Sequence, residues 1–348
     1  MNLFATLARF GYGELHVGRD EATGLRALVG LYSTRLGPAI GGTRFHHYET
    51  DEEAVVDVLN LARAMAYKAA LAGLPHGGGK AVIVKPPGAF DRPSLFRRFG
   101  EFVDGLGGRY VTTEDVGTAP ADMDAVRLAT RHVVGSSSGS GDPSPFTALG
   151  VRRGIEAVAR AALGRRDLDG LHVAIQGVGH VGAHLARELA ARGVRLTVTD
   201  VDLRRRQEVA LEVDAAVVEP GAIFDVPCDV FAPCALGGAV SASTVERLRC
   251  RAVAGAANNQ LASPEMGSAL AARGIFYAPD YAINAGGLIN VAAEYAGYDR
   301  VQAETRTLAI HDTILTIAER AAAGPELPSV IADRMAEERM GQGRRAAG

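Results

Sequence analysis

Lysine is scarce in this chain: of its 37 basic residues only Lys68, Lys80 and Lys85 are lysines, and all three fall in one short segment. Arginine carries the surface charge everywhere else. Lysine can lose its proton when taken out of water and arginine cannot, so a retained lysine marks a place to look for proton chemistry. Lys85 stands beside Pro86-Pro87 at a strand end and reads as a bystander; Lys68 and Lys80 do not. Cysteine is almost as rare. Cys228, Cys234 and Cys250 make an odd count with no CxxC spacing and no histidine neighbours, which excludes a disulfide framework and a zinc site. No metal is expected, and free thiols point to the cytoplasm. Long apolar runs are missing too, so no helix is expected to span a membrane, and Arg9 interrupts any signal-like stretch. A net charge of −3 leaves no electrostatic footprint for nucleic acid or an anionic membrane.

What remains is a 348-residue chain, 47% apolar, long enough for two domains. The fold class expected is α/β: an N-terminal α/β substrate and catalytic domain, and a Rossmann-type dinucleotide-binding domain, separated by a cleft. The first domain is drawn over residues 1–134 and also carries oligomerisation, the second over 135–325. A C-terminal helical segment, 326–348, packs back on the first. In the first half, Thr50 with Glu53 predicts a capping box and a long amphipathic helix to about Leu74. A glycine-rich turn, His76-Gly-Gly-Gly-Lys80, then leads into the strand Ala81–Val84. The run Gly135–Asp142 reads as a linker. In the second half, apolar strands near 171–176, 194–200, 216–218, 229–232, 252–255 and 275–277 alternate with helices. That alternation predicts a parallel sheet covered on both faces.

Gly177-Val178-Gly179-His180-Val181-Gly182 is a full GxGxxG between an apolar strand and an Ala/Leu-rich helix, with Asp200 about 20 residues on. Gly177 permits a tight turn, Gly179 lets backbone approach a pyrophosphate, and Gly182 lets helix and strand pack closely. Asp200 suits the ribose hydroxyls and repels a 2′-phosphate, which favours NAD over NADP. Arg204, Arg205 and Arg206 read as a solvated helix face. His76–Lys80 is no Walker A, because its first glycine is misplaced and Ala81 brings no hydroxyl. Lys80 beside Gly77–Gly79 is accessible to a close-approaching substrate, and a half-buried amine there suits a general base. Asp115, ending a strand, is either a proton acceptor or a helix cap. His46 and His47 are adjacent and cannot chelate one metal from a strand.

Seven blocks in order then resemble the glutamate/leucine/phenylalanine/valine dehydrogenase family, and are most similar to its leucine and valine dehydrogenases. They are Gly37-Pro-Ala-Ile-Gly-Gly-Thr43, Met65-Ala-Tyr-Lys68-Ala, Leu74-Pro-His-Gly-Gly-Gly-Lys80, Thr113-Glu-Asp115-Val-Gly, Ala232-Pro-Cys-Ala-Leu-Gly237, Ala256-Ala-Asn-Asn-Gln260 and Ala278-Pro-Asp-Tyr-Ala-Ile-Asn284-Ala-Gly-Gly287. The resemblance implies NAD-dependent oxidative deamination of a branched or small aliphatic L-amino acid to its 2-oxo acid and ammonia. It makes Lys68 the cation for the α-carboxylate, Lys80 the general base and Asp115 the proton shuttle to nitrogen. Asn259 falls near substrate and nicotinamide, with Asn258 and Thr147 on the cofactor. Ile40, Met65, Thr113, Leu288 and Val291 form the side-chain pocket, and a homo-oligomer, dimer or larger, is expected. A phenylalanine dehydrogenase of the same family, a 2-hydroxy-acid dehydrogenase and a non-catalytic NAD-sensing module are the competing readings.

Overall fold

A computed structural model describes residues 2–12 and 14–341. In chain order the elements are α1 (Leu3–Phe10), β1 (Glu14–Asp20), β2 (Leu25–Ser33), β3 (Ala39–His46), α2 (Asp51–Leu71), β4 (Gly77–Val84), α3 (Arg92–Asp104), β5 (Tyr110–Glu114), α4 (Pro120–Arg127) and α5 (Ser144–Ala161). There follow β6 (His172–Gln176), α6 (His180–Ala190), β7 (Arg195–Thr199), α7 (Leu203–Glu212), β8 (Ala216–Val217), β9 (Val230–Pro233) and β10 (Ala252–Val253). Then come α8 (Glu265–Ala272), β11 (Phe276–Tyr277), α9 (Asp280–Ile283), α10 (Gly286–Ala293), α11 (Arg300–Leu308), α12 (Ile310–Ala322) and α13 (Pro328–Arg339). Two compact units emerge. The first holds the described residues of Met1–Gly141, Asn290–Arg300 and Ala336–Gly348; the second is Asp142–Ile289 with Val301–Met335.

The first unit is built on a sheet of order β1-β2-β4-β3-β5, antiparallel across β1-β2-β4 and parallel across β4-β3-β5. One face is closed by α3 and the apolar cluster around Phe96, Phe99 and Tyr110. The other lies under α2, where Val82 and Val84 pack with Val55, Val58 and Ala62. Thr50 caps α2 by accepting from the Glu53 N–H, but the Glu53 carboxylate takes the N–H of Glu49, one residue before the position a capping box uses. The helix stops at Leu71, three residues early, because Gly73 turns left-handed at φ +65°.

The glycine run differs more. Gly77–Gly79 is not a turn but the buried start of β4, paired with β2 on one side and β3 on the other. The reason is helix packing: a Cβ at Gly78 would sit 2.0 Å from the Ala66 nitrogen of α2. Only glycine lets that helix rest on the strand. Strand β3, which no sequence pattern singles out, runs beside it.

Residues 290–300, drawn from sequence into the second domain, belong to the first unit. The Glu294 carboxylate accepts from the Gly135 N–H at 2.8 Å and the Ser140 N–H at 2.6 Å, so the Ser/Gly run is wrapped around a carboxylate rather than left loose. At the C-terminal end, Tyr67 donates to Glu337 at 2.8 Å and Arg339 donates to the Leu71 carbonyl at 2.6 Å. Residues 342–348 of the expected C-terminal segment lie outside the described residues.

The second unit is a parallel six-stranded sheet of order β11-β10-β9-β6-β7-β8. Strand order reverses between β6 and β9, the doubly wound pattern whose switch point lies at the carboxyl ends of those strands. All six strands fall where the apolar runs predict, with ends shifted by a residue or two. Among the described residues no helix is long and apolar enough to cross a membrane.

Candidate active site

On the first unit, β-strand parity puts Lys80 on the α2 face with Val82 and Val84, and only 4% of it is exposed. Asp115 follows the end of β5. Its Oδ2 lies 3.0 Å from Lys80 Nζ and 3.1 Å from Arg44 Nε. The loop that carries it is tied by Thr118, whose hydroxyl accepts from the Asp115 N–H at 2.8 Å. Burial pushes the Lys80 ammonium below its ordinary value; Asp115 opposes this and Arg44 adds to it. Burial acts to raise the Asp115 carboxyl, but Lys80 and Arg44 more than offset it and hold it below the usual range. The result is a buried amine whose proton is loosened, next to a carboxylate kept ionised.

Lys68 is half-buried in the last turn of α2. Ile40 is fully buried on β3, between Gly78 and Val111. Met65 of α2 reaches the backbone of β3, its Cγ 3.4 Å from where a Cβ of Gly41 would stand. Thr113 is 9% exposed on β5. It meets Gly135 and Val291: a Cβ on Gly135 would lie 2.6 Å from the Thr113 hydroxyl and 3.8 Å from a Val291 methyl. The structure therefore brings Thr113 and Val291 together at one glycine. Leu288 is half-buried on α10, within the second unit.

On the second unit the glycine turn leaves β6 with Gly177 at φ +93°. Gly179 is the N-cap of α6, and among the described residues nothing beyond its chain neighbours stands within 4 Å of the point where its Cβ would be. Gly182 is the opposite case, since a Cβ there would lie 2.0 Å from the Gly177 carbonyl oxygen. Val178 is buried, while His180 is exposed and Val181 half-buried. Asp200 accepts from the Val178 N–H at 2.8 Å and from the Asp202 N–H at 2.9 Å, which fixes its carboxylate against the turn. Arg206 is not on a solvated face: it is 4% exposed and donates to the Val218 carbonyl and to Glu219. Arg205 stays nearer, 3.9 Å from Asp200.

Thr147 is half-buried on α5 and donates to the Pro143 carbonyl at 3.2 Å. Asn258 and Asn259 are exposed on one loop. Asn284 donates to Asn258 Oδ1 at 2.8 Å, and Asp280 takes the N–H of Asn259, whose backbone is left-handed at φ +51°. Sequence reasoning did not assign roles to Arg44, Asp57, Asn284 or Asp280. Arg44 follows the first family block directly, and that position was the available signal. Cys234 is half-buried, and the desolvation of its thiol pushes it up to about 12, which disfavours the thiolate.

Two family models match this chain: the Glu/Leu/Phe/Val dehydrogenase dimerisation domain over residues 14–132, and Glutamate/Leucine/Phenylalanine/Valine dehydrogenase over residues 198–309. A leucine dehydrogenase of Thermoactinomyces intermedius is 47% identical over 98% of this chain and 94% of that protein. The chain belongs to the glutamate/leucine/phenylalanine/valine dehydrogenase family. A valine dehydrogenase of Streptomyces albus is also 47% identical, over 96% of this chain and 93% of its own length. The crystal structure of L-tryptophan dehydrogenase from Nostoc punctiforme superposes with a TM-score of 0.90 at 41% identity, covering 99% of this chain and all of that one. This is an amino-acid dehydrogenase of a family that uses nicotinamide dinucleotides.

Proposed function

We propose that the enzyme oxidatively deaminates a branched or small aliphatic L-amino acid with NAD, giving the 2-oxo acid and ammonia. The observation that carries the proposal is the Lys80–Asp115 pair, an amine taken out of water 3.0 Å from a carboxylate. The turn at Gly177–Gly182 fits the dinucleotide: open space at Gly179, free N–H groups at the start of α6, and Asp200 at the end of β7. A bound nicotinamide supplies the acceptor for the hydride that leaves the substrate Cα. Lys68 holds the α-carboxylate as a fixed cation. Neutral Lys80 takes a proton from the water that attacks the iminium carbon. Asp115 exchanges a proton with the substrate nitrogen, so that collapse of the carbinolamine expels ammonia. Asn259 would lie near the substrate and nicotinamide, and Asn258 and Thr147 would help hold the cofactor. Asp200 selects NAD by repelling a 2′-phosphate.

The side-chain pocket is assigned to Ile40, Met65, Thr113, Leu288 and Val291. It offers no cation, so a second substrate carboxylate would be buried without a partner, at a cost of at least several kcal/mol. Thr113 and Leu288 narrow it against phenylalanine, though one or two methylenes are worth only about 1–3 kcal/mol. A cytoplasmic homo-oligomer, dimer or larger, completes the reading. The test is kcat/KM for valine, leucine, isoleucine, 2-aminobutyrate, phenylalanine and glutamate with NAD, followed by NADH absorbance. An aliphatic substrate is expected to lead and glutamate to be rejected. Glutamate or phenylalanine as the best substrate would overturn the pocket; turnover of a 2-hydroxy acid but no amino acid would overturn the reaction.

A further inference from the structure

Arg44 and Asp57 have no part in the roles above, yet they complete the polar surroundings of the Lys80–Asp115 pair. Arg44 projects from β3 on the same face as Lys80. Its Nε reaches Asp115 Oδ2 at 3.1 Å, and its Nη1 reaches the two Asp57 oxygens at 2.9 and 3.1 Å. Asp57 comes down from α2 and also accepts the Tyr48 hydroxyl. All three charged groups are largely enclosed, with side-chain exposures of 22% for Arg44, 26% for Asp57 and 23% for Asp115. Asp115 Oδ2 is thus claimed twice, by Lys80 and by Arg44. Its Oδ1 takes no hydrogen bond from the described residues.

We propose that Arg44 is a positioning residue for the acid–base pair. Clamped by Asp57 and Tyr48, it saturates Asp115 Oδ2 and turns Oδ1 toward the substrate nitrogen as the proton-exchanging oxygen. The proposal rests on the reading of Lys80 as base and Asp115 as shuttle, and adds the machinery that aims them. A planar guanidinium suits the task because its rigid fork bridges two carboxylates at fixed angles. Charge matters as well. The charged groups that act on the pair are Arg44 from β3 and Asp57 from α2; the Tyr48 hydroxyl is engaged with Asp57, and buried Tyr110, on the other face of the sheet, interacts with Asp115 only through its field. At Lys80, the Arg44 charge works against protonation and the Asp57 charge works for it.

Those two signs give a test that mere structural damage would not reproduce. In steady-state deamination, kcat rises with pH as Lys80 loses its proton. Arg44→Gln is expected to lower kcat by about tenfold or more and change KM for the amino acid by less than about threefold. It should also move the rise in kcat upward by roughly half to one pH unit, whereas Asp57→Asn should move it downward. Arg44→Lys keeps the charge but not the fork, so the midpoint should hold while kcat stays reduced. If Arg44→Gln fails to fold, Asp57→Asn and Arg44→Lys carry the test. Lys80→Arg is measured in parallel. An inactive Lys80→Arg, with unshifted midpoints in Arg44→Gln and Asp57→Asn or with full kcat in Arg44→Lys, would overturn the positioning role alone. An active Lys80→Arg would overturn the base assignment and this proposal together.

Discussion

The two units prepare their chemistry from different materials. In the first, Lys80, Asp115, Arg44 and Asp57 are charged side chains drawn out of water, and their mutual fields set which of them holds a proton. In the second, the glycine turn has backbone N–H groups and open space, and the carboxylate beside it, Asp200, is tied to that backbone. The acid–base cluster should therefore respond to changes of charge at constant volume, and the glycine turn itself to changes of volume. Glycine marks both regions but for separate reasons: Gly78 admits a helix, Gly179 leaves open space, and Gly182 admits a neighbouring carbonyl.

The largest expected effect tests that division among glycines. Gly78→Ala drives a methyl into the Ala66 backbone, 2.0 Å away. It should cost about 3 kcal/mol or more and lower Tm by roughly 6–12 °C in a thermal melt. Gly182→Ala meets an equally close carbonyl and should behave alike in the second unit. Gly179→Val places its Cβ where none of the described residues beyond its chain neighbours stands within 4 Å, so its Tm should stay within about 2 °C of the parent while NADH affinity, read by fluorescence titration, falls at least about tenfold. Equal destabilisation by Gly179→Val and Gly182→Ala would erase the distinction between packing and ligand glycines.

A smaller effect sharpens the contrast in charge. Asp200→Ser removes the carboxylate next to the turn and should raise the ratio of kcat/KM for NADP over NAD by about tenfold. The gain is limited because Arg206 is committed to Val218 and Glu219, leaving Arg205 and the exposed Arg204 to meet a 2′-phosphate. An unchanged preference would remove Asp200 from the ribose site.

The second unit was largely legible in the sequence, and the first was not. Buried parallel strands read as continuous apolar runs, and the turn after β6 follows a fixed glycine spacing, so strand order and turn could be read together. In the first sheet the glycines mislead. Gly41-Gly42 and Gly77–Gly79 look like turn punctuation, yet they are strand residues kept small by Ala66, Met65 and the neighbouring backbone. Strand β3 was missed for that reason, and Arg44 with it. Arg206 misled in the opposite sense, since three consecutive arginines suggest solvent while the last is buried in the unit. Asp57 carries no local signal at all: its importance comes from Arg44, 13 residues away in sequence.

The smallest step on the acid–base side concerns pH and stability. Asp115 sits below its ordinary value, so its ionisation stabilises the fold above the normal carboxylate range, and that contribution is lost as pH falls through its lowered value. Lys80 is also lowered, so burying its proton costs stability below its folded value, and the cost is relieved as pH rises toward the free-lysine value of 10.5. Denaturant midpoints of Asp115→Asn and the parent should begin to converge as pH falls below the ordinary carboxyl value of 3.8 and meet only below the lowered folded value.

The central claim is that a lysine, in a chain that otherwise spends arginine, is kept at position 80 because it must lose a proton. Lys80→Arg keeps the positive charge and removes that ability. Its kcat for oxidative deamination of the best aliphatic substrate, measured by NADH formation at saturating NAD, should fall by about 100- to 10,000-fold with the fold and NADH binding intact. Retention of even about a tenth of the parent turnover would contradict the account, since loss of a general base costs far more than that.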